Sequence, residues 1–296
     1  MATAGSIDID KLTKRARPKR IFFQWTFILP VIVLLVMVIL AIFAPLLTPY
    51  DPVVGELKER LMPPFFMDGG STSHILGTDQ MGRDILGRII YGAQISLSIA
   101  VMVIFITSSI GTILGIVSGY MGGRTDAFLM RITDISLAFP AILIAILLAA
   151  TLGPGYWTVV IALSFLGWAP YARLIRGEAL KLREADFVAQ ARIIGASPIR
   201  IMGRHIFPNI INPLIVMVTL SVGMVILTEA ILSYIGAGIP YPNPSWGAMV
   251  EEGRPYIDTA WWISFFPGLA IGLVVLAGNF LGDWLRDKLD PRLRQI

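Results

Sequence analysis

The chain has 296 residues, 55% of them hydrophobic and 15% charged, with a mean hydropathy of +0.74 and a net charge of +4. Soluble domains hold about 45–50% apolar residues, so this composition excludes an ordinary soluble protein. With no Cys and two His, disulfides, thiolate metal sites and haem attachment are excluded, and a His-built metal centre has too few ligands.

The N-terminal tail, residues 1–20, carries Lys11, Lys14, Arg15, Arg17, Lys19 and Arg20, a basic run suited to anionic lipid headgroups. The apolar run behind it is too long for the core of a signal peptide and lacks a small-residue cleavage site, so it reads as a retained first span. Blocks of about 20 apolar residues cross the hydrocarbon as helices. Six are expected, over 22–47, 95–120, 128–152, 157–175, 211–235 and 261–281, which makes the fold class an all-α integral membrane protein with six transmembrane helices. The stretch 135–172 has no charged residue; it is too long for one helix, and Gly153-Pro154-Gly155 divides it in two. The expected organisation is a tail over 1–20, a first helix with an outer segment over 21–93, a membrane core over 94–283 containing a polar loop at 177–210, and a tail over 284–296.

Six spans place alternate loops on opposite sides. Of the 24 Lys and Arg, only Lys58, Arg60, Arg83, Arg88 and Arg254 then fall on one side, and the excess of positive charge marks the other as cytoplasmic. Both termini and the 177–210 loop are therefore expected in the cytoplasm of a cell-membrane protein. Basic clusters beside membrane spans are topology signals, and a nucleic-acid surface is not expected.

On the outer side, residues 48–88 are expected to form an extended cover and an amphipathic lead-in to the second span. His74, Asp79, Arg83 and Asp84 read there as a polar cluster whose members build turns and cap a helix. The 236–258 loop, with Pro242, Pro244 and Trp246, reads as rigid and aromatic-anchored, and Trp246 is a candidate outer gate.

The most distinctive stretch runs from Glu178 to Pro208. Asp186 is expected as N-cap and Gly195 as C-terminal cap of a helix of about two turns. Ser197 and Pro198 open a second helix, and Pro208 is expected to end it. Phe187, Ala191 and Ile194 share one face by spacing, an apolar knob with charged flanks that suits a groove on a partner. By contrast, the chain has no phosphate-binding G-x-x-x-x-G-K-[ST] loop, no H-E-x-x-H and no G-x-S-x-G, so no enzyme is expected. Glu229 is the ionisable residue lying well inside a span and reads either as part of a translocation path or as a structural hydrogen-bonding group. Asp134 reads as an interfacial cap.

These residues carry a resemblance. The 189–208 loop resembles the E-A-A, three residues, G, nine residues, I-x-L-P pattern of permeases in binding-protein-dependent ABC importers through Ala191, Gly195 and Pro208, departing at Ala189, Gln190, His205 and Phe207. HILGTDQMGRDILGRIIYGAQISL from His74, GYMGGRTDAFLMRITDISLAFP from Gly119, FVAQARIIGASPIRIMGRHIFPN from Phe187, PSWG at Pro244 and NFLGDWLRDKLDPR from Asn279 resemble the C-type permeases of the dipeptide, oligopeptide and nickel group. LSYIGAG at 232–238 departs from that group's usual LSFLGLG. The resemblance implies a type I importer fold and a half-transporter working by alternating access. It implies as partners a homologous B-type permease, two ATPase subunits that bind ATP and Mg, and an extracytoplasmic substrate-binding protein. No cofactor is expected in this chain. Asp186, Phe187, Ala191, Gly195 and Pro208 are the expected ATPase-coupling positions. Short peptides are the implied cargo, with nickel chelates, glutathione or oligosaccharides as alternatives within the family. An ion-coupled secondary transporter would instead show inverted repeats and midplane ion sites.

Overall fold

The computed structural model describes residues 20–289. The expectations for the basic tail over 1–19 and for the end of the chain, 290–296, lie outside the described residues.

Helix α1 spans Arg20–Ile42 and is followed by a single turn, Ala44–Leu47. Its Ile28, Leu29, Ile32, Leu35 and Ile39 side chains are exposed, as a face turned to lipid must be. Helix α2, Ile85–Met121, begins ten residues before the expected second span. Asp84 sets that start by accepting the Gly87 N–H as N-cap, so the amphipathic lead-in is the first part of the same helix. At 37 residues, α2 is ~55 Å long, well beyond the hydrocarbon. Prolines lie inside the other long helices, at Pro30, Pro170, Pro213 and Pro267, whereas α2 has none.

The expected third span is broken. Helices α3, Gly123–Ala138, and α4, Ala141–Leu152, meet at 79°. Pro140 denies residue 139 helical backbone angles, and Phe139 is extended at φ −87°, ψ 132°. Helix α5 covers Tyr156–Arg183, α6 Asp186–Ile193, α7 Phe207–Tyr234, α8 Trp246–Gly253 and α9 Trp262–Leu289. Four unbroken apolar helices are long enough to cross a membrane, the broken pair makes a fifth when counted as one span, and α1, whose apolar part is shorter, occupies the place of the first of the six expected spans. Among the described residues there is no strand, only one isolated bridge between Thr78 and Asp84.

Association in lipid rests on close packing more than on apolar burial. Here it rests on Gly111, Gly115 and Gly119, one turn apart on α2. A Cβ at these glycines would lie 2.4 Å from the Tyr171 Cβ, 2.7 Å from the Ala172 carbonyl oxygen and 2.7 Å from the Ala179 Cβ, respectively. The backbones of α2 and α5 therefore touch. The i, i+4, i+8 spacing of these glycines marks the stripe in the sequence itself.

Candidate functional site

Two regions at opposite ends of α2 gather the sequence-selected residues. The first is the loop between α5 and α7. Ala185, in extended conformation, is the N-cap of α6. Asp186 is thus already helical, a first-turn acid favoured by the helix dipole, and not the expected cap. The other end is as expected. Gly195 has φ +85°, the Ala196 N–H bonds the Ala191 carbonyl and the Gly195 N–H that of Arg192, each at 3.0 Å. This is a Schellman ending that needs a residue free to adopt left-handed angles.

Pro208 does not end a helix. Pro198–Ile201 passes through a wide π turn, Met202–Ile206, into α7 as one rod. The π turn carries the bond from the Phe207 N–H to the Met202 carbonyl. The Asn209 side-chain amide donates to the His205 carbonyl at 2.7 Å, meeting an acceptor near the proline.

The expected common face of Phe187, Ala191 and Ile194 is divided. Val188 and Ala191 are buried with Ile116 of α2, Ile175 and Ala179 of α5, and Ile201, Ile206 and Ile210. Phe187 is exposed, and outermost are Ile193 and Ile194, each 85% exposed, with Ile199 at 80%. The inner face bolts α6 to its own chain while three isoleucines face outward among Arg192, Arg200 and Arg204. Ile193 and Ile199 were missed because a face inferred from spacing alone has no direction until its packing partner is known. Arg176 holds Asp126 of α3 through two bonds of 2.5 and 2.6 Å, and Ser118 of α2 donates to the same carboxylate.

The second region is the cover over 48–84, at the other end of α2. Asp79 accepts from the backbone of Met81 and Arg83, from Arg83 Nε at 2.6 Å and from Arg88 Nη1 at 2.7 Å. Glu252 of α8 accepts from Arg83 at 2.5 Å, from Arg88 at 2.8 and 2.9 Å, and from Gln80 at 3.2 Å. Two arginines and two carboxylates thus close a buried, charge-balanced clamp between the cover, α2 and α8. Burial alone would raise the Glu252 carboxyl, but the Arg88 hydrogen bonds and charge, with Arg83 and Gln80, outweigh it and hold the group below its ordinary value. His74 bonds Asp84 at 2.9 Å and Glu59 at 3.0 Å. Burial disfavours its cation, yet these two carboxylates hold it above its ordinary value. The structure brings together His74, Asp79, Arg83 and Asp84 and adds Arg88 and Glu252. Glu252 is far along the chain, so no local spacing marked it.

Trp246, which opens α8, is fully buried, its Nε1–H donating to the Ile89 carbonyl at 3.0 Å. Glu229 is also buried. Ser96 of α2 donates to its Oε2 at 3.1 Å and Ser233 to its Oε1 at 2.8 Å, while Ser233 accepts from Ser245, the N-cap of α8, at 3.3 Å. The carboxyl group therefore ties α2, α7 and α8 together.

A family model described as the binding-protein-dependent transport system inner membrane component matches residues 111–295, and one for the N-terminal transmembrane domain of oligopeptide transport permease C matches 19–64. The chain is 43% identical over 287 residues to a putative peptide transport system permease protein of Brucella suis, covering 97% of this chain and 95% of that one. It is 41% identical over 261 residues to a di/tripeptide transport system permease protein of Pseudomonas aeruginosa, covering 88% and 86%. It is 40% identical over 264 residues to an oligopeptide transport system permease protein of Bacillus subtilis, covering 89% and 85%. Among solved structures, a chain of the MetNI methionine ABC transporter in an inward-facing form superposes with a TM-score of 0.58 at 15% identity, over 70% of this chain and 98% of that chain. At that identity the likeness speaks for the fold.

Proposed function

The chain belongs to the family of binding-protein-dependent transport system inner membrane components, and from that premise we propose that it is a non-catalytic half of the translocation path of an ABC importer for short peptides. Peptide transport is the activity in the names of its relatives from Brucella suis, Pseudomonas aeruginosa and Bacillus subtilis. The other half is a homologous permease. Two ATPase subunits holding ATP and Mg dock on the α6 loop, a binding protein delivers peptide to the opposite face, and both termini lie in the cytoplasm.

One observation carries this reading: three exposed isoleucines, Ile193 at the end of α6, Ile194 just past it and Ile199 on the following turn, surround a short helix whose reverse face is locked into the chain's own core. Exposed apolar groups rimmed by charge mark a protein contact, and a rigid backing lets that contact transmit force. Nucleotide that binds one state of the ATPases better than the other then tilts the membrane helices; shifting a population from 1:99 to 99:1 takes about 5.5 kcal/mol of differential affinity. Phe187 borders the patch, Asp186 and Gly195 fix the ends of the helix that bears it, Ala191 backs it, and Pro208 lies in the rod leading to the membrane. Glu229 is a structural tie in this scheme and Trp246 an anchor of the outer end.

The test replaces Ile193 and Ile194 together by Asp and purifies the assembly with its native partners. The double variant is expected to insert and keep its unfolding midpoint, because both side chains are exposed, while losing the ATPase subunits. Retention of the ATPases with ATP-driven uptake intact would overturn the docking role.

A further inference from the structure

A cavity of about 280 Å³ lies where α2, α5 and α7 meet the α3–α4 break. Its polar wall includes Thr107, Ser136, Tyr171 and Ser221, and among the described residues no Asp, Glu, Lys, Arg or His lines it. Thr107 is 14 residues from one end of α2, Tyr171 15 from the start of α5 and Ser221 13 from the end of α7, or ~20 Å each at 1.5 Å per residue. The cavity is therefore near the middle of the membrane.

Two features make it more than a packing gap. Tyr171 is 3% exposed and its hydroxyl has no hydrogen-bond partner. Thr107 and Ser221 stand beside it without reaching hydrogen-bond geometry, and each donates instead to its own helix, to the Val103 and Met217 carbonyls. A buried hydroxyl left unpaired is unfavourable, because it has given up its bonds to water and gained none in return. The second feature is the break itself. The helical partner of the Ser136 carbonyl would be the N–H of residue 140, and proline has none, while Ala141 opens α4 with an N–H that has no helical acceptor. Irregular backbone is tolerated at membrane depth where it is enclosed by protein or lines a cavity, and Ser136, Phe139 and Ala141 line this one.

We propose that the cavity is a holding site for the transported peptide, taking an internal amide with an uncharged side chain and excluding the charged termini. The inference rests on the peptide-import reading. An uncharged wall holding an unpaired hydroxyl, beside a helix break whose carbonyl and N–H lack helical partners, suits the donor and acceptor of a peptide bond, and the apolar remainder suits an aliphatic or aromatic side chain. The space is ample, since an apolar cavity of about 150 Å³ admits benzene.

The chain contains no Cys, so Ser221→Cys places one thiol in it, at the cavity wall. The assembled complex carrying that variant is placed in lipid nanodiscs and labelled with N-ethylmaleimide, with trileucine or trilysine as probe. Trileucine is expected to slow labelling of this subunit at least about fivefold, and trilysine to leave it unchanged. Adding Tyr171→Phe is expected to raise the half-protecting trileucine concentration about fivefold, the size of one hydrogen bond, with subunit assembly and unfolding midpoint unchanged. Labelling indifferent to trileucine in a complex whose wild type imports trileucine overturns the site alone. Protection that follows the acyl-chain length of the lipid and not the peptide overturns it in favour of a lipid occupant. A wild-type complex that imports no peptide overturns the import reading and the site with it.

Discussion

The two ends of α2 solve opposite problems. At the clamp end, charge is turned inward: Asp79, Arg83, Arg88 and Glu252 pair with one another away from bulk water, with only Arg83 Nη1 and Arg88 Nε of the guanidinium nitrogens left without a partner among the described residues. At the α6 end, apolar groups are turned outward on a backing of buried Val188 and Ala191. A buried, balanced ion cluster is specific to its own partners and has little affinity left for others. An exposed isoleucine patch has nothing among the described residues to cover it. The first end is built to stay as it is, the second to be completed by something else.

The largest effect should come from breaking the clamp. Arg88→Leu strips both buried carboxylates of a guanidinium, and removing one partner of a buried pair costs about 3–5 kcal/mol. The unfolding midpoint in detergent should drop sharply, and a near-normal midpoint would mean that water already reaches the cluster. Next comes the backing of the patch. Val188→Ala removes two buried methyl groups at a cost of about 2 kcal/mol, so it should lower the midpoint and weaken ATPase retention together. By contrast, replacement of the outward isoleucines should affect retention alone. If Val188→Ala left retention unchanged, the patch would not depend on its backing.

The smallest effect is the pH profile of the clamp end. Because His74 is raised, its contacts with Asp84 and Glu59 contribute fully below the ordinary value of 6.5 and are lost as pH rises through the raised value. Because Glu252 is lowered, its contribution is complete above its ordinary 4.5 and lost as pH falls through the lowered value. The midpoint should therefore be highest at about pH 4.5 to 6.5 and decline on both sides. His74→Gln should flatten only the alkaline decline; an unaltered alkaline limb would show that His74 is not its source.

The same contrast explains what the sequence reveals. Span order and the importer family are carried by features local in the chain, apolar blocks and contiguous motifs, and both agree with the structure and the family match. The Gly195 turn is equally local and was legible for the same reason. The break at Phe139-Pro140 was hidden by apolar residues on both sides, which made one continuous span look complete, although proline's effect on its predecessor points to it. Pro208 misled in the opposite sense, because a π turn ending two residues earlier lets the rod continue. Glu252 and the direction of the α6 face depend on partners distant in sequence, which no periodicity encodes.

A mechanical consequence follows from α2 being the long helix without an internal proline. Arg88 near one end is locked to the ion clamp, and Ile116, 28 residues on, is locked into the core behind the isoleucine patch, a distance of ~42 Å. A rod of that length, free of hinges, behaves as a lever: a tilt of about 10° pivoting at the clamp sweeps the far end through ~7 Å. Where a kinked helix would absorb part of a displacement in its bend, this one hands it on whole, so the stroke available to the membrane half is set by the geometry of its pivot.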